Sequence, residues 1–185
     1  MADHLGLPRS KAVTTIKPGG TRSKAMDTTE GCHKPAGRYI FNNIKFSKHD
    51  PMVAKFKAAN YNVFADPVGT DAVIVTFPVE WPDVEFSEDG YNMESAITQL
   101  ERYKMLMDNY VDHNCSITIS YDREEVPGIA AWLHKNWDSY VGVSFVFRTD
   151  PTVRAEDLGY PYLPQEVVTH DEWLEYSAKL LPVDL

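Results

Sequence analysis

The stretch Thr14-Thr15-Ile16-Lys17-Pro18-Gly19-Gly20-Thr21-Arg22-Ser23-Lys24 is an apolar strand that breaks at Pro-Gly-Gly and resumes as a predicted helix. Such a turn presents backbone N–H groups at a helix N-terminus, which favours an anion. Its glycines let the backbone approach a phosphate without a Cβ in the way. Thr21 and Ser23 add hydroxyl donors to the turn, and Lys17, Arg22 and Lys24 add positive charge. The predicted phosphate-binding residues are Pro18, Gly19, Gly20, Thr21, Arg22 and Ser23, with Lys17, Glu30 and His33 as further residues lining the site. An ordinary strand-to-helix turn is the alternative interpretation.

Charge is distributed unevenly along the chain. The net charge of −9 combines +7 over residues 1–60 with −16 over residues 61–185. A basic first third that contains the glycine turn suits a polyphosphate partner. We expect no direct nucleic-acid binding, because no basic stripe with interleaved aromatic residues runs through the remainder.

Composition predicts one globular domain over residues 1–185, with 43% hydrophobic residues. The sequence contains no run of eighteen apolar residues, so we expect no membrane span. Its first residues have neither the basic nor the apolar region of a signal peptide. The expected location is therefore cytoplasmic. The two cysteines, Cys32 and Cys115, and the six histidines have no metal-ligand spacing, so we predict no metal site and expect both thiols to be reduced.

Hydrophobic periodicity and capping residues predict alternating strands and helices. Expected strands cover 12–16, 38–46, 72–79 (ended by Pro78 and Pro82), 115–121 and 142–147. Expected helices begin at Ser23, at Pro51 after the N-cap Asp50, near Asn92 and running to His113, after the Asp122/Glu125 capping box, and after Thr169 with Glu172. This order favours an α/β fold with partly parallel pairing. Because the chain begins close to the turn and ends in the apolar run 180–185, we expect a piece of a larger assembly.

Several segments in the same order carry a resemblance to a known family. They are 10–21, Thr29-Glu30-Gly31-Cys32-His33, Asp112-His113-Asn114-Cys115-Ser116-Ile117-Thr118-Ile119, Trp132-Leu133-His134-Lys135-Asn136 and Tyr160-Pro161-Tyr162-Leu163-Pro164-Gln165. Together they resemble the C-terminal part of monomeric adenosylcobalamin-dependent (class II) ribonucleoside-triphosphate reductases.

This resemblance implies the C-terminal portion of a ten-stranded α/β barrel with a terminal helical extension, in which the turn grips the substrate's phosphates. Pro18, Gly20, Thr21 and Ser23 match the family's usual Pro-Ser-Gly-Thr-x-Ser pattern, whereas Gly19 replaces a serine and Arg22 replaces a residue that is usually apolar. Loss of the serine hydroxyl would remove one phosphate hydrogen bond, worth about 1.5–3 kcal/mol when charge-assisted.

The resemblance also implies chemistry that this chain cannot perform alone. Such reductases use adenosylcobalamin to generate a thiyl radical on a cysteine in an Asn-x-Cys-x-Glu context, and a thioredoxin-type reductant restores their thiols. Neither Cys32 nor Cys115 has that context, so no catalytic residue is assigned to this chain. We expect a companion polypeptide that carries the N-terminal part, with a ribonucleoside triphosphate as substrate. A free-standing nucleotide- or phosphate-binding module and an inactive remnant are the alternatives.

Overall fold

Short strands and helices alternate through the computed structural model, which describes residues 1–20, 22–23, 26 and 28–184. The strands are β1 (Tyr39–Ser47), β2 (Val63–Ala65), β3 (Ala72–Glu80), β4 (Thr118–Tyr121), β5 (Ser144–Phe147) and β6 (Gln165–Val167). The helices of at least eight residues are α1 (Pro51–Ala58), α2 (Ala96–Asn109), α3 (Val126–Lys135) and α4 (His170–Ser177). Four short 3-10 helices lie at Asp3–Leu5, Arg123–Glu125, Trp137–Ser139 and Glu156–Leu158.

Two compact units share the chain. The first contains residues 1–34 and 94–148, and the second contains residues 35–93 and 149–185. The chain therefore leaves the first unit after residue 34 and returns to it at Glu94. The glycine turn belongs to the first unit.

The second unit contains a four-stranded antiparallel sheet in the order β2-β3-β1-β6. Contrary to expectation, Pro78 does not end β3, which continues to Glu80. Thr76 N–H donates to Asn62 O at 3.0 Å on the β2 side. Because alternate residues of a strand point the same way, the nitrogen of Pro78 also faces that side, where β2 no longer extends. A proline there removes no ladder hydrogen bond.

Aromatic side chains fill the space between α1 and the sheet. Phe56 of α1 lies with its ring centroid 5.5 Å from that of Phe46 and 5.2 Å from that of Phe77, and Tyr61 adjoins both Phe56 and Phe77. The predicted start of α1 is confirmed, because the Asp50 side chain accepts a hydrogen bond from Met52 N.

The last helix also begins as the sequence predicts. Thr169 and Glu172 form a reciprocal capping box at the start of α4. Further along α4, the Tyr176 hydroxyl donates to Thr76 O at 2.9 Å and accepts from Asn62 N at 2.8 Å, which fixes the helix to the sheet. Burial raises the pKa of Tyr176.

The first unit contains the parallel pair β4-β5, with α2 and α3 around a common core. Ile119, Leu100 and Tyr103 are fully buried in this core. The parallel pair confirms the expectation of partly parallel pairing. The capping box of Asp122 with Glu125 is also confirmed, although it closes a 3-10 turn that leads directly into α3.

Three expected boundaries in the first unit are wrong: both ends of α2 and the start of β4. Helix α2 begins after Ser95, whose side chain accepts from Thr98 N, and it ends at Asn109; Asn92 instead donates its N–H to Ala36 O. Strand β4 begins at Thr118 rather than Cys115, because the preceding residues pair elsewhere: Ser116 N–H donates to Ile16 O at 3.3 Å.

Side chains close the edge of β4 that faces away from β5. Gln99 of α2 accepts from Ser120 N at 3.1 Å and donates to Ser120 O at 2.9 Å, as a neighbouring strand would. Two residues earlier, Thr118 N donates to His33 Nε2 at 3.0 Å. The backbone of β4 is thus satisfied on both edges, one by a strand and one by side chains.

We expect Gln99→Leu to lower the free energy of unfolding of the chain by about 1–3 kcal/mol, because it leaves the partly buried N–H and C=O of Ser120 without their side-chain partners. Urea denaturation measures this change. Asn109→Leu, at the exposed end of the same helix, is the control and should cost less than about 0.5 kcal/mol. Equal effects of the two substitutions would contradict the role given to Gln99.

Candidate phosphate-binding turn

Asp112 holds the segment that leads into the turn. Its carboxylate accepts hydrogen bonds from Val13 N at 2.8 Å and Thr14 N at 2.9 Å, and its own N–H donates to Thr14 O at 3.2 Å. The N–H donors of Val13 and then Thr14, followed by the Thr14 hydroxyl, hold the pKa of Asp112 below its usual value. No pattern in the sequence predicts this contact, which joins residues almost one hundred positions apart.

The strand expected over residues 12–16 is wrong, because this segment is extended but forms no regular ladder. Side-chain hydrogen bonds replace part of the ladder. Thr15 Oγ1 donates to Asn114 O at 2.7 Å, and Thr14 Oγ1 donates to Tyr110 O. Ile16 packs against the core of the first unit and accepts from Ser116 N, so the segment enters the turn with its register fixed.

The turn itself centres on Gly20, whose φ of +55° lies in the left-handed region that favours glycine. Arg22 N–H donates back to Gly19 O at 3.2 Å, and helical structure follows at Arg22 and Ser23. Within the described part of the chain, the N–H of Gly20 has no acceptor. Thr21, which the sequence assigns to phosphate binding, lies outside the described residues, as do Lys24 and Ala25 of the expected helix start.

Ser23 shapes the turn from inside. Its side chain is buried, and its Oγ accepts from Gly19 N at 3.0 Å. A Cβ added at Gly19 would lie 2.3 Å from this Oγ. The Ser23 hydroxyl therefore fills the place that a side chain at residue 19 would need, and any larger residue there must displace it.

Two cations stand beside the turn with exposed side chains. Neither Lys17 nor Arg22 has an acidic partner among the described residues, so both charges are available to an anion. Glu30 is half-buried behind the turn.

His33 is bound on both ring nitrogens. Nδ1 lies 2.8 Å from Glu30 O, and Nε2 lies 3.0 Å from Thr118 N. Since the Thr118 N–H must donate, Nε2 is the acceptor and Nδ1 carries the proton. His33 therefore contacts the protein through both nitrogens, and its assignment as a residue that lines the site stays a prediction.

A groove of about 490 Å³ with a mixed polar and apolar lining adjoins the turn within the first unit. Its lining includes Lys17 and three residues that sequence reasoning did not select: His113, Asn114 and Ser116. Lys17 lies immediately before the turn, so the groove begins beside the turn, and its lining also carries the hydroxyls of Thr14, Thr15 and Ser116.

Comparison with known proteins shows which proteins this chain is similar to. No protein-family model matches the chain. A probable adenosylcobalamin-dependent ribonucleoside-triphosphate reductase of Dictyostelium discoideum is 27% identical over 187 residues, which cover 99% of this chain and 23% of that protein. The corresponding reductase of Levilactobacillus brevis is 29% identical over 71% of this chain, and that of Lactobacillus delbrueckii subsp. bulgaricus is 32% identical over 71%, each match covering 18% of the relative.

The chain is homologous to one segment of these reductases. A crystal structure of a B12-dependent (class II) ribonucleotide reductase has the same fold over 97% of this chain, with a TM-score of 0.77 and 23% identity. The match covers 24% of that structure. The α/β fold class and the correspondence to a portion of the reductase are confirmed, and the chain spans about a fifth of the length of the relatives that it matches.

The two cysteines do not fit the role of a radical carrier in such a reductase. Cys32 and Cys115 are free thiols buried in the core of the first unit, with their Sγ atoms 3.6 Å apart. Burial is the main cause that raises the pKa of Cys115 to about 12. Neither thiol has the Asn-x-Cys-x-Glu context expected of a radical carrier, and both pack inside the hydrophobic core, so we assign these residues to packing.

Metal-binding clusters and membrane-spanning helices are both absent from the described residues. No cluster of three or more histidine, cysteine, aspartate or glutamate side chains there could hold a metal ion. No helix in the same part of the chain combines the length and the apolar character needed to cross a bilayer.

We expect the Asp112 contact to depend on pH in a defined direction. A carboxylate whose folded pKa is lowered stabilises the structure above its unfolded pKa of about 3.9, and that contribution is lost as the pH falls through the folded value. The hydrogen-exchange protection of the Val13 and Thr14 amides should therefore fall below about pH 4. Asp112→Asn should lower this protection several-fold at neutral pH and remove its pH dependence.

Asp150→Asn provides the matched control, because the Asp150 carboxylate also has a lowered pKa but is bound by Thr152 in the second unit. It should leave the Val13 and Thr14 amides unchanged. If the hydrogen-exchange protection of these amides depends neither on pH nor on the residue at position 112, the Asp112 carboxylate does not hold the segment at Val13 and Thr14.

Proposed function

We propose that this chain supplies the substrate-phosphate-binding turn of an adenosylcobalamin-dependent ribonucleoside-triphosphate reductase, an enzyme that makes deoxyribonucleotides for DNA synthesis. The observation that carries the proposal is the match to the Dictyostelium discoideum reductase along 99% of this chain, which includes the whole turn. The Gly20 N–H, which has no acceptor among residues 1–20, 22–23, 26 and 28–184, and the exposed charges of Lys17 and Arg22 support it.

Each part of the turn has a distinct task in this proposal. The Gly20 N–H and the Ser23 hydroxyl donate hydrogen bonds to phosphate oxygens, while Ser23 Oγ continues to accept from Gly19 N. Arg22 and Lys17 neutralise the phosphate charge. Held in this way, the substrate's ribose lies at a fixed position, and the contribution to the reaction is proximity and electrostatic stabilisation.

The remaining chemistry belongs to the rest of the reductase, whether on the same chain or on a companion polypeptide. That part would contribute the radical cysteine, the contacts to adenosylcobalamin, which supplies the radical chemistry when bound, and the thiols that a thioredoxin-type reductant restores. The complete enzyme would work in the cytoplasm on a ribonucleoside triphosphate. No step through the cofactor is assigned to residues of this chain.

Strand β5 offers an edge for that remaining part. Residues 144 and 146 of β5 and the N–H of Arg148 face β4, so the backbone groups of Phe145 and Phe147 face the opposite edge. The side chains of Val146 and Phe147 are 50% and 60% exposed. Parallel sheets are normally covered on both faces and rarely stop at two strands, so we infer that a strand of the remaining part pairs with β5.

The phosphate-binding role is tested in a chimera in which this chain replaces the matched segment of the Dictyostelium discoideum reductase. We expect adenosylcobalamin-dependent deoxynucleotide formation from the unmodified chimera. Ser23→Ala should lower kcat/KM for the ribonucleoside triphosphate about tenfold, because a charge-assisted hydrogen bond is lost. Arg22→Gln should raise KM several-fold.

Ser10→Ala is the matched control, since Ser10 is exposed and lies ahead of the turn. It should leave both kinetic parameters unchanged. Normal kinetics for Ser23→Ala and Arg22→Gln would refute the phosphate-binding role, and an inactive unmodified chimera would argue that the chain is a remnant.

The edge of β5 is tested with a pair of substitutions at one position. Phe145→Pro removes the N–H that faces the open edge and the aromatic ring, whereas Phe145→Ala removes only the ring. We expect the chain with either substitution to keep its own fold, measured by circular dichroism. In the chimera, only Phe145→Pro should abolish activity; equal activity of the two variants would exclude strand pairing at this edge.

A further inference from the structure

The peptide between Lys17 and Pro18, immediately before the glycine turn, rests directly on another backbone segment. Gly31 has a φ of +61°, and a Cβ added there would lie 3.0 Å from Pro18 N and 3.1 Å from Lys17 C. These are backbone atoms that cannot move aside alone. The loop Glu30–His33 therefore packs directly against the backbone that enters the turn, and we call it the supporting loop.

Two long-range contacts hold this loop in place. His33 joins its own loop, through Glu30 O, to the first residue of β4, through Thr118 N. On the other side, Arg102 of α2 donates to Cys32 O at 3.1 Å and pairs with Glu94. Cys32 is buried in the core of the first unit, so the loop has one face in the core and the other against the turn.

We propose that His33 is a positioning residue of the phosphate-binding turn, and this rests on the function proposed above. By joining Glu30 O to Thr118 N, the His33 side chain sets the distance of Gly31 from β4. Gly31 in turn sets the position of the Lys17–Pro18 peptide and hence the direction of the Gly20 N–H. His33 acts through the loop, and it makes no contact with the substrate.

Three substitutions at His33, made in the chimera, separate the bridge from mere space filling. A glutamine side chain reaches about as far as Nε2 and can accept from Thr118 N, whereas asparagine reaches only as far as Nδ1 and leucine cannot accept at all. We expect His33→Gln to keep KM for the ribonucleoside triphosphate within about twofold of the unmodified chimera. His33→Asn and His33→Leu should each raise KM about tenfold with kcat nearly unchanged, because binding to the phosphates weakens equally in the ground and transition states.

Glycine substitutions test the contact between the supporting loop and the turn without changing His33. Gly31→Ala introduces a Cβ against the turn at a positive φ, while Gly6→Ala introduces one at a φ of +63° with nothing within 4 Å. The two alanines carry similar backbone strain. We expect only Gly31→Ala to raise KM, by about tenfold, which isolates the contact with the Lys17–Pro18 peptide.

The outcomes separate this inference from the proposed function. If Arg22→Gln raises KM while Asn and Leu at His33 and Ala at Gly31 leave it unchanged, the turn binds phosphate and the positioning role is wrong. If Ser23→Ala and Arg22→Gln both leave the kinetics unchanged, the proposed function itself fails. Equal KM values for His33→Gln and His33→Asn would also overturn the bridge to Thr118.

Discussion

The close approach of Gly31 to the Lys17–Pro18 peptide is the constraint on which the candidate site depends. Two backbone segments can lie this near to each other only because residue 31 has no Cβ and adopts a positive φ. The contact leaves the turn little freedom to sink into the protein. Gly20 follows within this turn, with the exposed charged residues Lys17 and Arg22 close to it along the chain.

Strand β4 connects the loop behind the turn to the rest of the first unit. Its inner edge pairs with β5, and its outer edge is satisfied by Gln99 from α2 and by His33 from the loop behind the turn. Strand β4 thus contacts α2, β5 and the supporting loop Glu30–His33 through hydrogen bonds. The opposite edge of β5 carries backbone groups that β4 does not use, and this is where a larger reductase would continue the sheet.

Local signals in the sequence were sufficient for three of the helix starts. Asp50 with Pro51, and the capping boxes at Asp122 and Thr169, are confirmed because a cap is formed by residues within three positions of each other. The start of α2 was misplaced for the opposite reason. Asn92 and Ser95 are both acceptable caps, and the choice is made by distant partners: Ala36 binds the N–H of Asn92, and Glu125 binds the N–H of Ala96.

The site shows the same division between local and long-range information. The composition of residues 17–23 predicted a phosphate turn, and homology to the reductases supports that interpretation. The residues that hold the turn, Asp112 and His33 with its partner Thr118, act across more than eighty positions and leave no periodic or spacing signal. Gly19 shows what the structure adds, because the hydroxyl of Ser23 lies where the missing side chain would be.

A crystal structure of the chimeric reductase with a bound ribonucleoside triphosphate tests the central claim most directly. We expect phosphate oxygens within about 3.2 Å of the Gly20 nitrogen and the Ser23 hydroxyl, with the Arg22 guanidinium against the same phosphate. Phosphates bound at another place, with the turn between Pro18 and Ser23 empty, would contradict the claim that this turn holds the substrate.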